Sequence, residues 1–278
     1  MSAFSRPLVW ALYSLASIAA NGAQLASDSF VYATGSINGN AGGTGFNGTW
    51  EEVAGDMTNP LVIDSASLSY PGITSAGGSV KLPQFTTYSD SQRPLSTSYG
   101  DGVYYFSFLG QSIADAGLYI GLGLGDDLAL AQDNYTVYLE YNQIRRVTTF
   151  SIKREFDGGQ SGFYELPGTG TFFVVGRLTL ASGADTMDVW VNPLFGATPP
   201  TTPNVSLTGY DIGKLSQVFL DGGGSSSQMA FAHLDEFKLG EQYSDVVPVP
   251  EPSSCVAVLC SSAYLALLAR RSFRSSSL

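Results

Sequence analysis

The sequence predicts an all-β protein, an antiparallel two-sheet sandwich placed between two short terminal segments. Between Asp28 and Asp245, short alternating runs are separated by clusters of Gly, Pro, Asn and Asp, and no stretch has convincing helical periodicity. The chain has 278 residues, enough for one large β domain. Ten or more antiparallel strands without helices must hide their apolar faces against each other, which favours two packed sheets.

Ten runs have the alternation, or the β-branched and aromatic content, expected of strands. They are residues 29–33, 67–70, 102–109, 118–124, 135–141, 146–153, 171–180, 186–191, 217–220 and 229–239. In the eighth run, Met187, Val189 and Val191 fall on one face of the predicted strand. Asp188 and Trp190 fall on the opposite face, so the run predicts a strand with one core-facing side.

Charge and cysteine content exclude several classes of function. From Asp28 to Asp245 there are 9 Lys and Arg against 23 Asp and Glu, a net charge of −14. A surface with this much negative charge repels phosphate backbones. No nucleic-acid partner is therefore expected. Cys255 and Cys260 both lie in the C-terminal apolar run, so the body has no disulfide framework and relies on its core.

Residues 1–23 have the pattern of a cleaved secretory signal peptide. Arg6 supplies the basic start, residues 8–20 form the apolar stretch, and small residues precede a predicted cut after Ala23. The segment is too short to span a bilayer comfortably. It therefore predicts export, with residues 24–246 forming the mature β-sandwich.

The C-terminus combines a Pro-rich linker at 247–254 with a predicted transmembrane helix and basic tail at 255–278. The 15 apolar-dominated residues from Cys255 to Ala269 would span about 22 Å as a helix. Arg270 and Arg271 follow the helix, so the positive-inside rule places the tail in the cytoplasm and the body outside. A permanent single-span anchor is the simplest interpretation.

A second interpretation comes from the order Pro250-Glu251-Pro252, apolar helix, Arg270-Arg271, chain end. This order resembles the PEP-CTERM sorting signal of Gram-negative bacteria. The resemblance implies recognition of the Pro-Glu-Pro motif by an exosortase-type membrane protease and retention in the membrane by the two arginines. It also implies an inner-membrane-anchored intermediate that is released to the cell envelope or extracellular matrix. Two serines in the middle of the helix depart from the pattern.

The body has phrases of its own, among them GLYIGLGLGDD, FFVVGRLTLASGADTMDVWVNP and FAHLDEFKLGEQYSDV. Together they resemble the concanavalin A-like, laminin-G-like jelly rolls. That resemblance implies that the first and last strands pair, with residues 28–33 beside 231–239. It specifies the fold better than the ligand, because one fold hosts many functions.

Glycan hydrolysis is the alternative function, because glycanases of this fold carry acids at alternating positions of one strand. The adjacent acids point to opposite faces of a strand and do not fit; they are Glu51-Glu52, Asp126-Asp127 and Asp235-Glu236. Asp185 and Asp188 have the wrong phase, and no acid triplet at i, i+2, i+4 occurs in the sequence. Acids distant in sequence could still meet, and the alternative predicts two carboxylates within about 6 Å beside aromatic residues.

Other chemistry has little support in the sequence. His233 is the single histidine, lies in a predicted strand, and has no nucleophile-elbow motif to work with, which favours a structural role. One histidine and no body cysteine exclude an ordinary zinc site. Two acidic Gly-rich stretches, 125–127 and 221–224, leave a Ca²⁺ site open beside the simpler interpretation as solvated turns.

Aromatic residues could stack on sugar rings, but strand aromatics more often pack in the core. The candidates are Tyr104, Tyr105, Tyr119, Tyr138, Tyr141 and Trp190. Taken together, the sequence predicts an exported, non-catalytic cell-surface or matrix protein without a cofactor. Its sandwich is lectin-like, with polysaccharide or matrix as the candidate partner.

Overall fold

The computed structural model describes residues 24–55, 59–81, 88–112, 119–126, 134–142, 147–154, 159–167, 169–223 and 232–249. Within these ranges the chain forms sixteen strands and one short helix. The early strands are β1 (Gln24–Asp28), β2 (Gly35–Ser36), β3 (Glu51–Gly55), β4 (Val62–Asp64), β5 (Ser79–Lys81), β6 (Tyr88–Tyr99), β7 (Gly102–Ser112) and β8 (Tyr119–Gly125). The later elements are β9 (Asn134–Asn142), β10 (Val147–Arg154), β11 (Tyr164–Pro167), β12 (Gly170–Leu180), β13 (Asp185–Val191), β14 (Val205–Tyr210), β15 (Leu215–Gly223), β16 (His233–Gly240) and α1 (Tyr243–Val246).

The strands form two antiparallel sheets, which confirms the predicted all-β class. The nine-stranded sheet has the order β14-β13-β12-β7-β16-β5-β4-β2, and β1 also pairs with β16. The seven-stranded sheet has the order β11-β10-β9-β8-β15-β6-β3. Some neighbours in these orders are consecutive strands, but others, such as β15 and β6, are far apart in the sequence, so the fold depends on long-range pairing.

The two sheets enclose one apolar core to which both contribute. Phe106 and Phe108 come from the nine-stranded sheet, and Leu122 and Val218 come from the seven-stranded sheet. Met187, Val189 and Val191 also lie in this core, as their alternation predicted. Because each strand alternates, the residues between these core positions face outward on the two outer faces of the sandwich.

The first strand differs from its prediction. The predicted pairing of first and last strands is confirmed, but β1 spans Gln24–Asp28, and the predicted strand at 29–33 is wrong. The chain turns after β1 because the Asp28 carboxylate accepts the Phe30 N–H at 2.9 Å and Phe30 adopts a φ of 49°. The predicted strand at 67–70 is also wrong, since the Leu68 N–H donates to the Asp235 side chain.

A buried ion pair fixes this first turn. Asp28 is 1% exposed, and its Oδ2 accepts hydrogen bonds from Arg93 Nη1 at 3.1 Å and Trp50 Nε1 at 3.0 Å. Tyr32 donates to the same oxygen at 2.5 Å. Burial, together with the Asp28 charge, raises the pKa of Tyr32 to about 12. The loop after β1 is therefore tied to β6 through one carboxylate.

The predicted signal peptide at 1–23, the sorting residues Pro250, Glu251, Pro252, Arg270 and Arg271, and the predicted C-terminal helix lie outside the described residues. Across the ranges that the structure describes, no helix is long and apolar enough to cross a membrane. At the C-terminal end of the described chain, α1 and Val247 pack onto the nine-stranded sheet.

Candidate functional site

The outer face of the nine-stranded sheet is covered by the protein's own chain. A second apolar cluster lies there, formed by Leu68, Leu109, Phe173, Val175, Tyr243, Val246 and Val247. Tyr70, Ile73 and Phe195 pack against it, and Ser107 on β7 donates a hydrogen bond to the Val246 carbonyl at 2.8 Å. Loops and α1 thus occupy this face.

The outer face of the seven-stranded sheet has a different composition. On β8, Ile120, Leu122 and Leu124 lie in the central core, so Tyr119 and Gly121 face outward. The same alternation turns Asp90 on β6, Asp221 on β15 and Tyr138 on β9 outward. This face therefore carries carboxyl and phenol groups.

Strand register aligns four of these positions into what we call the carboxyl row: Asp90, Asp221, Gly121 and Tyr138. Asp90 and Asp221 share a side-chain hydrogen bond, and the Tyr138 hydroxyl donates to Asp221 Oδ2. Tyr138 lies two strands from Asp221 and reaches it across Gly121. A Cβ at Gly121 would lie 2.7 Å from Thr136 Cγ2 and 3.0 Å from the Tyr138 ring, so glycine is required there.

Burial and neighbouring groups shift the pKa of Asp221 in the carboxyl row in opposite directions. Burial raises the pKa of Asp221, and the bonds from Asp90 and Tyr138 and the charge of Lys153 oppose that rise. The Lys153 ammonium lies 4.3 Å from the centroid of the Tyr138 ring, which leaves Tyr138 only 3% exposed.

A second alignment, which we call the tyrosine row, lies beside the carboxyl row. Tyr88, Gly223 and Tyr119 are register partners on β6, β15 and β8. Neighbouring strands are about 4.8 Å apart, so the two tyrosines flank the glycine with their Cα atoms about 10 Å apart. Tyr88 is 46% exposed, and the partly exposed Tyr119 ring packs edge-on against Tyr138, with centroids 5.4 Å apart.

The carboxyl pair bears on the hydrolase alternative. That alternative predicted two carboxylates within about 6 Å beside aromatics, and Asp90 and Asp221 satisfy this. Hydrogen-bonded carboxyl oxygens, however, are about 3 Å apart, whereas glycosidases separate theirs by about 5 Å or more. This spacing is shorter than the separation that is typical of a glycosidase pair.

The acids singled out in the sequence lie away from this face or have structural partners. Asp235 Oδ2 accepts hydrogen bonds from Ser67 Oγ at 2.7 Å and from the Leu68 N–H, on the covered side of the sandwich. Burial raises the pKa of Asp235 to about 7. Asp185 accepts two loop N–H groups, and Asp188 pairs with a neighbouring arginine.

His233 is the first residue of β16, in agreement with the predicted strand. Its Nδ1 lies 2.9 Å from Ser79 Oγ. The same Ser79 oxygen lies 2.7 Å from the Ala66 carbonyl, to which the hydroxyl alone can donate. Ser79 Oγ therefore accepts a hydrogen bond from His233 Nδ1–H, the opposite of what a serine nucleophile needs. Burial lowers the pKa of His233.

The two candidate calcium stretches differ in structure from a metal loop. Asp221, Gly222 and Gly223 lie in β15 rather than in a loop, so the turn interpretation of these residues is wrong. Asp126 lies 3.3 Å from the Lys214 ammonium, which occupies the place of a cation. Asp127 and Gly224 lie outside the described residues. Over the described ranges, no group of three or more His, Cys, Asp or Glu could hold a metal.

The candidate aromatics separate into two groups. Tyr119 and Tyr138 lie on the outer face of the seven-stranded sheet. Tyr104 is buried in the core with its hydroxyl on the Gly100 carbonyl, and Tyr105 packs on the covered face against Tyr243. Trp190 is buried, and its Nε1–H donates a hydrogen bond to the Thr202 carbonyl. The Tyr141 side chain lies outside the described part of the chain.

The fold and this face define an antiparallel two-sheet sandwich with one covered and one polar, aromatic outer face. No protein-family model matches the chain, and no curated protein matches it. Solved structures do match. A carbohydrate-binding module, CBM66 from Bacillus subtilis, is 14% identical, with 69% of this chain and 94% of that chain covered and a TM-score of 0.39.

Two further matches are a lectin and a glycoside hydrolase family protein. The lectin UEA-II complexed with galactose is 10% identical. The match covers 69% of this chain and 96% of the lectin chain, with a TM-score of 0.35. A glycoside hydrolase family protein from Mycobacterium thermorestibile is 13% identical. The match covers 77% of this chain and 99% of that protein's chain, with a TM-score of 0.45. At these identities and scores, likeness carries no information about ligand or activity.

Proposed function

We propose that the chain is an exported, non-catalytic cell-surface or extracellular-matrix protein whose sandwich binds carbohydrate. In this proposal the sandwich is of the concanavalin A-like jelly-roll type, and the ligand lies on the outer face of the seven-stranded sheet. The tyrosine row is the observation that carries the proposal. A sugar ring has apolar faces and hydroxyl edges, and Tyr88 and Tyr119 offer two aromatic surfaces on either side of Gly223.

The carboxyl row supplies the polar partners for such a ligand. Asp90 and Tyr88 are two residues apart on β6, as are Asp221 and Gly223 on β15, so the two rows are about 7 Å apart. Carboxyl oxygens accept hydrogen bonds from sugar hydroxyls. The acidic body repels acidic polysaccharides, so the proposed ligand is a neutral one.

Glycan hydrolysis is the second candidate, and one observation favours it. Asp221 is a half-buried carboxyl with a raised pKa beside another carboxyl, as a general acid requires. The contact between Asp90 and Asp221 supports binding without cleavage, because hydrogen-bonded carboxyl groups are closer together than the pair of a typical glycosidase. Incubation with any bound polysaccharide therefore releases no reducing ends, and catalytic release that an Asp221→Asn variant abolishes would favour the second candidate.

The proposal includes sorting through the C-terminal tail. Recognition by an exosortase-type membrane protease would use Pro250, Glu251 and Pro252, and Arg270 and Arg271 would hold the helix in the membrane. Support comes from the order of the Pro-Glu-Pro motif, the apolar run and the two arginines, together with the signal-like pattern of residues 1–23. Mass spectrometry of the native protein tests it: molecules cleaved near Pro250 are expected. An intact tail on every molecule would instead indicate a permanent anchor.

A glycan array probed with the full chain tests the carbohydrate proposal. Binding is expected for neutral oligosaccharides and not for uronic acid polymers. A blank array would leave a structural matrix protein without a sugar ligand. Binding confined to acidic glycans would contradict the assignment to this acidic face.

A further inference from the structure

The chain stays packed on the sandwich almost as far as the predicted sorting motif. After β16, residues 243–247, which we call the docked segment, lie against β7 and β16 on the covered face. The three apolar side chains of this segment are at most 3% exposed. Burial ends soon afterwards, since Val249 is 42% exposed. Pro250, the first residue of the motif, comes directly after Val249 in the sequence.

Hydrogen bonds hold the backbone of the docked segment in place. Ser107 on β7 is 1% exposed, and its hydroxyl donates to the Val246 carbonyl at 2.8 Å. The Val247 N–H donates to the Tyr243 carbonyl at 3.1 Å. A protease needs several residues of free, extended backbone, so buried and hydrogen-bonded chain resists cleavage. Peptide bonds inside the docked segment are therefore available only when the segment leaves the sheet.

One group weakens this docking. The Tyr243 hydroxyl is buried, and across the residues that the structure describes it has no hydrogen-bond partner. The ring itself packs edge-on against Tyr105, with centroids 5.9 Å apart, so only the hydroxyl is poorly accommodated. A buried polar group without a partner lowers stability. Single substitutions can therefore shift the docking equilibrium in either direction.

The predicted membrane helix bounds the other side of the motif. That helix is predicted to begin at Cys255, so residues 248–254 are all that separate it from the docked segment. Eight Cα–Cα steps lead from Val247 to Cys255, and they span at most about 28 Å when fully extended. A protease at the membrane would find free chain only in this short stretch.

We propose that the docked segment sets the upstream limit of processing, so that the membrane protease cuts within residues 248–254 and the released protein keeps α1 on its sheet. The inference rests on the proposed sorting and deepens it by giving a physical reason for where cutting stops. The cut is a hydrolysis, in which water gives OH to the carbonyl carbon and H to the nitrogen of one peptide bond. Undocking of residues 243–247 moves the limit upstream.

Limited proteolysis tests this limit without the membrane protease. The full chain, purified in a mild detergent, is digested briefly with proteinase K, and the C-termini of the products are identified by mass spectrometry. The body should end at Val247 or later. Products of the folded wild type that end between residues 240 and 246 would overturn the proposal.

Two substitutions should change the rate of these upstream cuts, at 240–246, in opposite directions on prolonged digestion. Ser107→Ala removes the donor to the Val246 carbonyl and should speed the cuts about 10-fold, the equivalent of about 1.4 kcal/mol. Tyr243→Phe removes the hydroxyl without a partner and should slow them about 5-fold.

The matched control is Ser206→Ala, because Ser206 is an exposed serine on β14, three strands from β7 in the same sheet. Its upstream cuts should have the wild-type rate. Cuts elsewhere in the body should keep their rates in all three variants, since global unfolding would raise them together. Equal rates of upstream cutting in Ser107→Ala and Ser206→Ala would overturn the proposal.

Mass spectrometry of the native protein separates this inference from the sorting proposal. Native molecules that end between residues 247 and 254 support both. Native molecules that end between 240 and 246 overturn the docked limit while sorting stands. An intact tail on every molecule contradicts sorting, and the rates of the Ser107→Ala and Tyr243→Phe variants then decide the docked limit alone.

Discussion

The two outer faces of the sandwich both carry aromatic residues, yet they differ in what lies on them. On the nine-stranded sheet, Phe173 and Tyr243 are buried in an apolar cluster under α1 and loops. On the seven-stranded sheet, Tyr88 and Tyr119 stand beside glycines and a hydrogen-bonded carboxyl pair. Aromatic content therefore does not identify a binding face; the neighbouring positions and the covering segments do.

The same contrast holds for two carboxyl groups, one buried and one half-buried. Asp235, beneath the covered face, accepts hydrogen bonds from Ser67, Leu68 and the Glu236 N–H, so its partners tie loops to β16. Asp221, on the other face, bonds to another carboxyl and to a phenol. The first arrangement stabilises the fold, and the second leaves acidic groups on a surface that a ligand can use.

The largest expected effect is loss of stability on the covered face. Phe173→Ala removes a buried ring from the second apolar cluster and should lower the free energy of unfolding by about 3–4 kcal/mol. Urea unfolding measures this loss. Oligosaccharide affinity should be unchanged while the variant remains folded, and reduced affinity in the folded variant would contradict the separation of the two faces.

The next effect depends on pH and concerns Asp235. Its pKa is raised to about 7 in the folded protein and is about 3.9 unfolded, so folding binds a proton. Stability from this group is therefore full below about pH 4 and is lost as the pH rises through about 7.

The Asp235→Asn variant lacks this titration. The difference in unfolding free energy, wild type minus variant, should be roughly 2–3 kcal/mol larger at pH 5 than at pH 8. Urea unfolding at both pH values measures it. An equal difference at the two pH values would show that the Asp235 carboxyl is ionised in the folded protein.

Tyr88→Ala should affect binding and leave stability almost unchanged. Tyr88 is 46% exposed, so its ring adds little to the core, but it forms half of the tyrosine row. Affinity for the array-positive oligosaccharide should fall about 10-fold or more. Phe163→Ala is the matched control, because Phe163 is an exposed aromatic outside both rows. Equal losses in the two variants would contradict a specific role for Tyr88.

The smallest effect concerns the Tyr138 hydroxyl. Tyr138→Phe removes its hydrogen bond to Asp221 and should destabilise the protein by about 1 kcal/mol. The bond lowers the pKa of Asp221, so it favours the ionised form and its loss should matter more at pH 8 than at pH 5. Tyr104→Phe, which removes a bond to a neutral carbonyl, should show the same loss at both. If the loss of unfolding free energy changed with pH in the same way in both variants, the hydrogen bond between Tyr138 and Asp221 in the carboxyl row would be contradicted.

Strands with an apolar signal could be predicted from the sequence, and β6 could not. β13 alternates clearly, β12 contains a continuous apolar run at 172–175, and both were predicted nearly to their ends. β6 is polar on both faces and contains Pro94, because Arg93 turns inward to meet Asp28 while Asp90 faces outward. Neither side of that strand gives a hydrophobic signal.

The candidate site was missed for a related reason. The sequence pattern predicts paired acids only within a single strand, whereas Asp90 and Asp221 come from two strands that become neighbours through long-range pairing. Tyr119 and Tyr138 were candidates from the sequence, but their partner Tyr88 lies at the start of the unpredicted β6. No local pattern encodes this register, so the site could not be found before the sheet order was known.

Mapping the bound oligosaccharide by NMR tests the central assignment most directly. The full chain, titrated with the strongest array ligand, should show its largest amide shifts at Tyr88, Tyr119 and Gly223. Residues on the covered face, such as Val175 and Val247, should not move. Shifts concentrated at Val175 and Val247, with none in the tyrosine row, would contradict the assignment of the seven-stranded face as the carbohydrate-binding surface.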